Sequence, residues 1–295
     1  MAGHPEELPL LGGVAALLGA SVVEHEGAGA CRVFSGGGLV AKVGPPEVIA
    51  REAAVLRTPL PLSVPVVVDS GPGWLVMTAE PDDERPWPEE ELAAALADLA
   101  RLHDAFLAAE ITGEPPAVGA GAVLRRPFTP DGADLLLEPV RRLGFELPAP
   151  LAAVLRDPSA LLAAAADSGE PATLLHGDPW PGNVLRPSPG RRVWIDWELA
   201  GVGPAAADLA SWINQTHWHP RVPAGALGGR EVEIYLSSRS RPVDRVRFER
   251  ARHAATVLWF LTYDVPQLAA GAGPPAGVET VIAAALAALD RLEGS

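Results

Sequence analysis

Short apolar runs broken by glycine open the chain. Residues 21–25, 30–34 and 38–43 are β-prone, and Gly27, Gly29 and the cluster Gly36, Gly37 and Gly38 punctuate them. Pro45 and Pro46 end the third run. The spacing then changes: Val48, Ile49, Glu52, Val55 and Leu56 recur at helical intervals and predict a helix over 47–57. Two further strands are predicted over 64–69 and 74–78, with a Gly-Pro-Gly turn between them. A small antiparallel sheet carrying one helix accounts for all of this. Residues 81–88 are charged and proline-rich, as in a linker or hinge. Beyond them the pattern is helical. Leu92, Leu96, Leu99, His103 and Phe106 make one stripe of a helix over 89–110, and further helices are predicted over 151–167, 205–216, 243–263 and 278–292. The Pro/Gly-rich stretches 115–150 and 220–229 are expected to loop over the surface. The fold class is therefore α+β, divided into a lobe over 1–80 and a second over 81–295.

Composition narrows the partners. With 23 basic and 37 acidic residues in a chain of 295, the formal charge of −14 repels phosphate backbones and anionic membranes. Neither a nucleic acid nor a membrane is an expected partner. Ala-rich runs are interrupted by charge and proline, and no apolar segment of about 20 residues exists. A single cysteine, Cys31, rules out an internal disulfide, and the N-terminal stretch has Glu6 and Glu7 but no basic leader. A cytoplasmic protein is expected. The sharpest compositional fact is that Lys42 is the only lysine among the 23 basic residues. A compact ammonium on a flexible stem does work that a planar guanidinium cannot.

The chemistry concentrates in 174–201, which alternates short apolar runs with polar loops. Asp178, Asn183 and Asp196 project from it, and Pro179, Pro181 and Gly182 restrict the loop between the first two. Magnesium takes oxygen ligands and needs only one or two protein carboxylates, the rest coming from water and phosphate. Asn183 and Asp196 would supply one amide oxygen and one carboxylate. Asp178 would face an acceptor hydroxyl, orient it and take its proton late in a loose transition state. Lys42 would neutralise the α- and β-phosphates, with Glu52 fixing its ammonium.

His176-Gly177-Asp178, Asn183 and the run Ile195-Asp196-Trp197-Glu198 together resemble the signature of the aminoglycoside phosphotransferase and choline kinase superfamily. The resemblance implies a protein-kinase-like, two-lobed fold with a small antiparallel-sheet N-lobe and a mainly helical C-lobe. It implies Asp178 as catalytic base or orienter, and Asn183 and Asp196 as magnesium ligands. Lys42 and Glu52 match the family's strand lysine and helix glutamate, though their ten-residue separation is shorter than in many relatives. The family's hinge strand corresponds to 74–80, so backbone groups of Thr78, Ala79 and Glu80 would hold the adenine, and Leu102-His103 matches its Leu-His helix pattern. The implied activity is ATP- and magnesium-dependent transfer of the γ-phosphoryl group to a hydroxyl of a small molecule. An aminoglycoside-like or other hydroxylated antibiotic comes first as acceptor; a choline- or ethanolamine-like amino alcohol or a sugar is the alternative. GTP in place of ATP stays open, as does the oligomeric state. Gly203-Pro204 leads to Asp208-Leu209-Ala210 without the Gly-Asp-Pro of many antibiotic kinases, which argues against assigning one resistance branch.

Other residues carry weaker readings. Glu198, Trp212, Trp259 and Tyr263, with Trp218 and Asp264, suit a pocket for a cationic acceptor, and ordinary helix packing explains them equally well. The Gly27-Ala28-Gly29 turn could bring amides near phosphates or be a plain turn. His176 and His103 are expected to be structural, and Asp208 to brace the loop rather than bind metal. Six arginines lie between Arg239 and Arg252, with Asp244 and Glu249 among them, and read as a solvated helix face. A protein kinase is disfavoured because no long activation segment separates Asp196 from Asp208. A nucleotide-binding module without catalysis is the alternative from another class.

Overall fold

The computed structural model describes residues 13–14, 16–19, 21–25, 31–107, 146–216, 218–265 and 275–293. The glycine turn at 27–29 and nearly all of the loop predicted over 115–150 lie outside the described residues. Packing divides the chain into two compact units. One runs to Arg85 and takes in Gly182–Ala200; the other comprises Pro86–Pro181 and the chain from Gly201 onward.

The first unit is built on a five-stranded antiparallel sheet in the order β1-β2-β3-β5-β4. Its strands are β1 (Val23–His25), β2 (Arg32–Gly36), β3 (Leu39–Val43), β4 (Val67–Gly71) and β5 (Trp74–Thr78). Gly37 and Gly38 have φ of 56° and 78°, which a two-residue hairpin needs to match strand twist, and so Gly36 pairs with Leu39. The strand period then sorts the side chains. Phe34, Ala41, Val43 and Val76 turn to one face and form a core with Val14 and Leu18. Lys42 lies opposite Leu75 in the register and turns to the other face. Helix α1 (Pro46–Arg57) starts with a proline in its first turn, where the missing N–H costs nothing. Its buried stripe, Ile49, Glu52, Ala53 and Leu56, includes one carboxylate. An antiparallel ribbon of β7 (Val184–Ser188) and β8 (Arg191–Trp194) completes the unit, joined to it where Trp194 N–H donates to the carbonyl of Ser63 at 2.9 Å.

The second unit is mainly helical. Helix α2 (Glu89–Ala105) carries the predicted stripe, with Leu92, Leu96, Leu99 and His103 buried. The single helix predicted over 151–167 is two, α3 (Ala149–Arg156) and α4 (Ser159–Ala166), bent by 84° at Asp157-Pro158. Proline removes a helix donor and clashes with the preceding turn, so the pattern could not run through. The short strand β6 (Thr173–Leu175) pairs with β9 (Gly201–Gly203). Then follow α5 (Ala205–Thr216), α6 (Glu231–Ser237), α7 (Arg245–Trp259) and α8 (Pro275–Glu293). Helix α7 is capped by Asp244, which accepts from Arg247 N–H at 3.2 Å, and is enclosed by α4, α5 and α8. It continues into a π-helical turn at Phe260–Asp264. Among the described residues, no single helix is long and apolar enough to cross a membrane.

Candidate active site

In the first unit, Lys42 and Glu52 are both buried, at 8% and 0% exposure. A charged pair this deep is costly unless each partner is satisfied. Lys42 Nζ donates to both Glu52 oxygens at 2.9 Å and to Asp196 Oδ1 at 2.5 Å. Glu52 Oε1 also accepts from Trp197 N–H at 3.2 Å. Burial pulls the Lys42 ammonium down, but the charges of Glu52 and Asp196 outweigh it and hold the group well above the ordinary lysine range. The chain's only lysine is therefore a permanent cation between two carboxylates.

The ribbon sets the second half of this cluster. Val184 pairs with Trp194, and the carbonyl of Asn183 accepts from Ile195 N–H at 3.0 Å, so Asn183 and Asp196 share one end of the ribbon. Asp196 adopts φ 64°, the only non-glycine left-handed backbone among the described residues. Aspartate tolerates this region better than most residues, at about 1 kcal/mol. Its side chain is 36% exposed while Lys42 holds one oxygen. An amide oxygen beside a half-exposed carboxylate suits a magnesium ion that brings its remaining oxygen ligands with it. At the end of β5, the Thr78 and Ala79 N–H groups donate to Val66 and Gly38 carbonyls, both at 2.9 Å, and Glu80 pairs with Arg191 at 3.0 Å. Glu198 also belongs to this unit: its carbonyl accepts from Arg51 at 2.6 Å, and its charge, added to burial, pushes the Cys31 thiol up to about 12.

In the second unit, β6 delivers His176, Gly177 and Asp178. Gly177 has φ 88°, which turns the chain sharply before Asp178. Asp208, in the first turn of α5, accepts the N–H of His176 at 2.7 Å and that of Gly177 at 3.0 Å. Asp178 Oδ1 accepts from Gln215 Nε2 at 2.6 Å, and its N–H points to His176 Nδ1 at 3.4 Å. The aspartate is thus aimed from both sides by α5. Tyr263, on the π turn, is 37% exposed and feels the charges of Asp178 and Asp264, which add to burial in raising its hydroxyl. Burial pushes the Asp264 carboxyl up to about 7. Trp259 is buried and stacks on Tyr263 at 5.3 Å between ring centres, whereas Trp212 is wholly enclosed in the core.

Residues 32–241 match the model of the phosphotransferase enzyme family. The chain belongs to that family. No curated protein matches it. Solved structures resemble this phosphotransferase over nearly its whole length at low identity. A choline kinase from Streptococcus pneumoniae is 17% identical, with 98% of this chain and 99% of that one covered and a TM-score of 0.57. An ADP-bound aminoglycoside phosphotransferase, APH(2'')-Ib, is 13% identical over 96% and 97%, at 0.56. A choline/ethanolamine kinase family protein from Mesorhizobium loti is 20% identical over 97% and 90%, at 0.55. The fold is thus the kinase-like α+β one, and the phosphotransferase is a member of the superfamily that its motif resembles.

Some parts of this phosphotransferase escaped sequence reasoning. Gln215 was not singled out, although it lies one helix turn from Ser211, which it also reaches at 2.8 Å. Helix α6 was not expected, being seven residues long and rich in β-prone Val232, Ile234 and Tyr235. The arginine-rich stretch is not uniformly solvated: Arg245 and Arg247 are exposed, but Arg239 and Arg252 are buried. Arg239 has carboxylates on two sides, which no periodicity reveals.

Proposed function

We propose that this phosphotransferase moves the γ-phosphoryl group of ATP, with magnesium, to a hydroxyl of a small molecule. The observation that carries this reading is the buried Lys42–Glu52–Asp196 cluster. It holds one fixed cation against a carboxylate that remains partly open, as a nucleotide's phosphates and their metal require. Lys42, steadied by Glu52, would take the phosphates. Asn183 and Asp196 would hold magnesium, whose part is to neutralise charge on the phosphate oxygens. With the Thr78 and Ala79 N–H groups already paired within the unit, the other backbone groups of Thr78, Ala79 and Glu80 would receive the adenine. Asp178, oriented by Gln215, would align the acceptor hydroxyl and take its proton.

The acceptor in this reading is an aminoglycoside-like or other hydroxylated antibiotic. The exposed Tyr263 ring with Asp264 suits the cationic groups of such a molecule. The same chemistry favours a choline- or ethanolamine-like amino alcohol as the second reading. The experiment is ADP release from Mg-ATP across aminoglycosides, other hydroxylated antibiotics, amino alcohols and sugars, with Asp178→Asn alongside. Acceptor-dependent release by the wild type, reduced about a thousandfold or more in the variant with ATP affinity retained, is expected. Tight Mg-ATP binding with no release for any acceptor would favour a non-catalytic nucleotide-binding module. No nucleotide binding at all would overturn the proposal.

A further inference from the structure

Behind the Asp178 loop, the second unit contains a buried polar chain far longer than loop bracing needs. Asp208 Oδ2, which takes the His176 N–H, also faces His103 Nε2 at 3.2 Å. His103 Nδ1 lies 2.6 Å from the hydroxyl of Tyr235 on α6. That hydroxyl is 3.2 Å from Arg239 Nη1. Arg239, whose side chain has no exposure, is clamped by Glu170 at 2.8 and 3.1 Å and donates through Nε to Asp104 at 2.7 Å. His103 and Tyr235 are likewise wholly buried.

Donor and acceptor roles along this chain are forced from its two ends. Guanidinium only donates and carboxylate only accepts. Tyr235 Oη therefore accepts from Arg239, and Asp208 accepts a proton carried on His103 Nε2. One question is left, whether His103 Nδ1 is bare or protonated. Were it protonated, Nδ1–H would also donate to Tyr235 Oη, and the phenol's own proton would have no further acceptor among the described residues, in a site with no solvent exposure. A buried donor left unmade costs about 1–3 kcal/mol. With Nδ1 bare, every group is satisfied: Arg239 to Tyr235, Tyr235 to Nδ1, Nε2 to Asp208. The single charge of Arg239 is shared between Glu170 and Asp104, and Asp208 is held by two backbone N–H groups, so the hydrogen-bond pattern and not the net charge sets the tautomer.

We infer that Tyr235 and Arg239 are positioning residues for phosphoryl transfer: they fix one tautomer of His103, which holds Asp208 and through it the two backbone amides immediately before Asp178. Neither touches a reacting atom. The effect travels through a single file of hydrogen bonds from α6 to the loop. This rests on the reading of Asp178 given above.

The test uses the full-length chain labelled with nitrogen-15, with Tyr235→Phe as the perturbation. The wild-type His103 ring should show a protonated Nε2 and a bare Nδ1 in its nitrogen-15 shifts. In Tyr235→Phe, amide exchange at His176 and Gly177 should speed by about tenfold, the loss of roughly one hydrogen bond, while Leu174 and Leu175 in β6 keep their protection. ADP release from Mg-ATP alone, with water standing in as acceptor, should fall by a similar factor in kcat with KM for ATP within about twofold. A wild-type ring protonated on both nitrogens would overturn the inference, and that measurement decides even if the variant does not fold. Exchange that rises equally across the unit, or not at all, would overturn it too. Asp178→Asn, run in parallel, separates the two ideas: unchanged ATP turnover there would sink the role of Asp178 while the ring and exchange measurements still report on the relay.

Discussion

Replacing Lys42 by methionine should expose how the first unit tolerates a carboxylate in its core. Methionine has similar length and no charge, so packing on β3 is largely kept while the Glu52 carboxylate loses its cation. Breaking a buried pair from one side typically costs about 3–5 kcal/mol. Glu52 retains the Trp197 N–H at 3.2 Å, and Asp196 has water to turn to, so the lower end, about 3 kcal/mol, is expected. The loss should depend on pH. Burial already raises Glu52, opposed chiefly by Lys42. Without the lysine its folded pKa rises further above the unfolded one. A raised acid is favourable to the fold while protonated, so the variant should keep its stability at low pH and lose it as pH rises through the folded value. In the wild type, the raised Lys42 ammonium supports the fold at every pH below the ordinary lysine range. Urea unfolding at pH 5 and pH 8 would read the difference, and Lys42→Met/Glu52→Gln should recover most of the loss at pH 8. A penalty below about 1 kcal/mol at pH 8, or one identical in the Glu52→Gln background, would refute the argument.

Other perturbations have separate readouts. Asn183→Ala should raise the magnesium concentration for half-maximal ADP release by about tenfold or more, with ATP affinity at saturating magnesium little changed; an unaltered magnesium curve would remove Asn183 from the metal. Asp264→Asn should stabilise the protein at pH 8 but not at pH 4. The Asp264 carboxyl, lifted from 3.8 to about 7, favours the fold below about pH 4 and loses that contribution as pH rises through 7. The full shift corresponds to about 4 kcal/mol, and partial exposure of the side chain reduces the expected gain to about 2 kcal/mol. An equal change in melting temperature at both pH values would contradict it. The same variant should weaken a cationic acceptor more than a neutral one.

Elements with strong local chemistry were legible from the sequence. Strand β5 at Trp74–Thr78 and helix α5 at Ala205–Thr216 coincide with the predicted runs, because Gly-Pro-Gly starts one and Pro204 the other. Lys42 stood out through composition, and Asn183 and Asp196 through spacing, because a hairpin register is a local property. Pro158 and the seven-residue α6 defeated the periodicity, one by interrupting a pattern and the other by being too short to show one. The relay was beyond reach for another reason. His103 and Tyr235 are 132 residues apart, and His103 and Asp208 are 105, so their meeting is decided by tertiary packing alone. Arg239 shows the same limit: an arginine amid arginines looks solvated until its carboxylates arrive from α2 and from the bend after α4.

The discontinuity of the first unit has a consequence for how the protein is made. Residues up to Arg85 leave the ribosome first, but the ribbon that carries Trp194 and Asp196 follows only after the intervening segment up to Pro181. At ordinary elongation rates that interval lasts about 5–20 s. Throughout it the nascent unit has a lysine with one of its two carboxylates and a Ser63 carbonyl awaiting the Trp194 N–H. Slow translation between codons 86 and 181 therefore prolongs the state in which this protein is most open to chaperones and proteases.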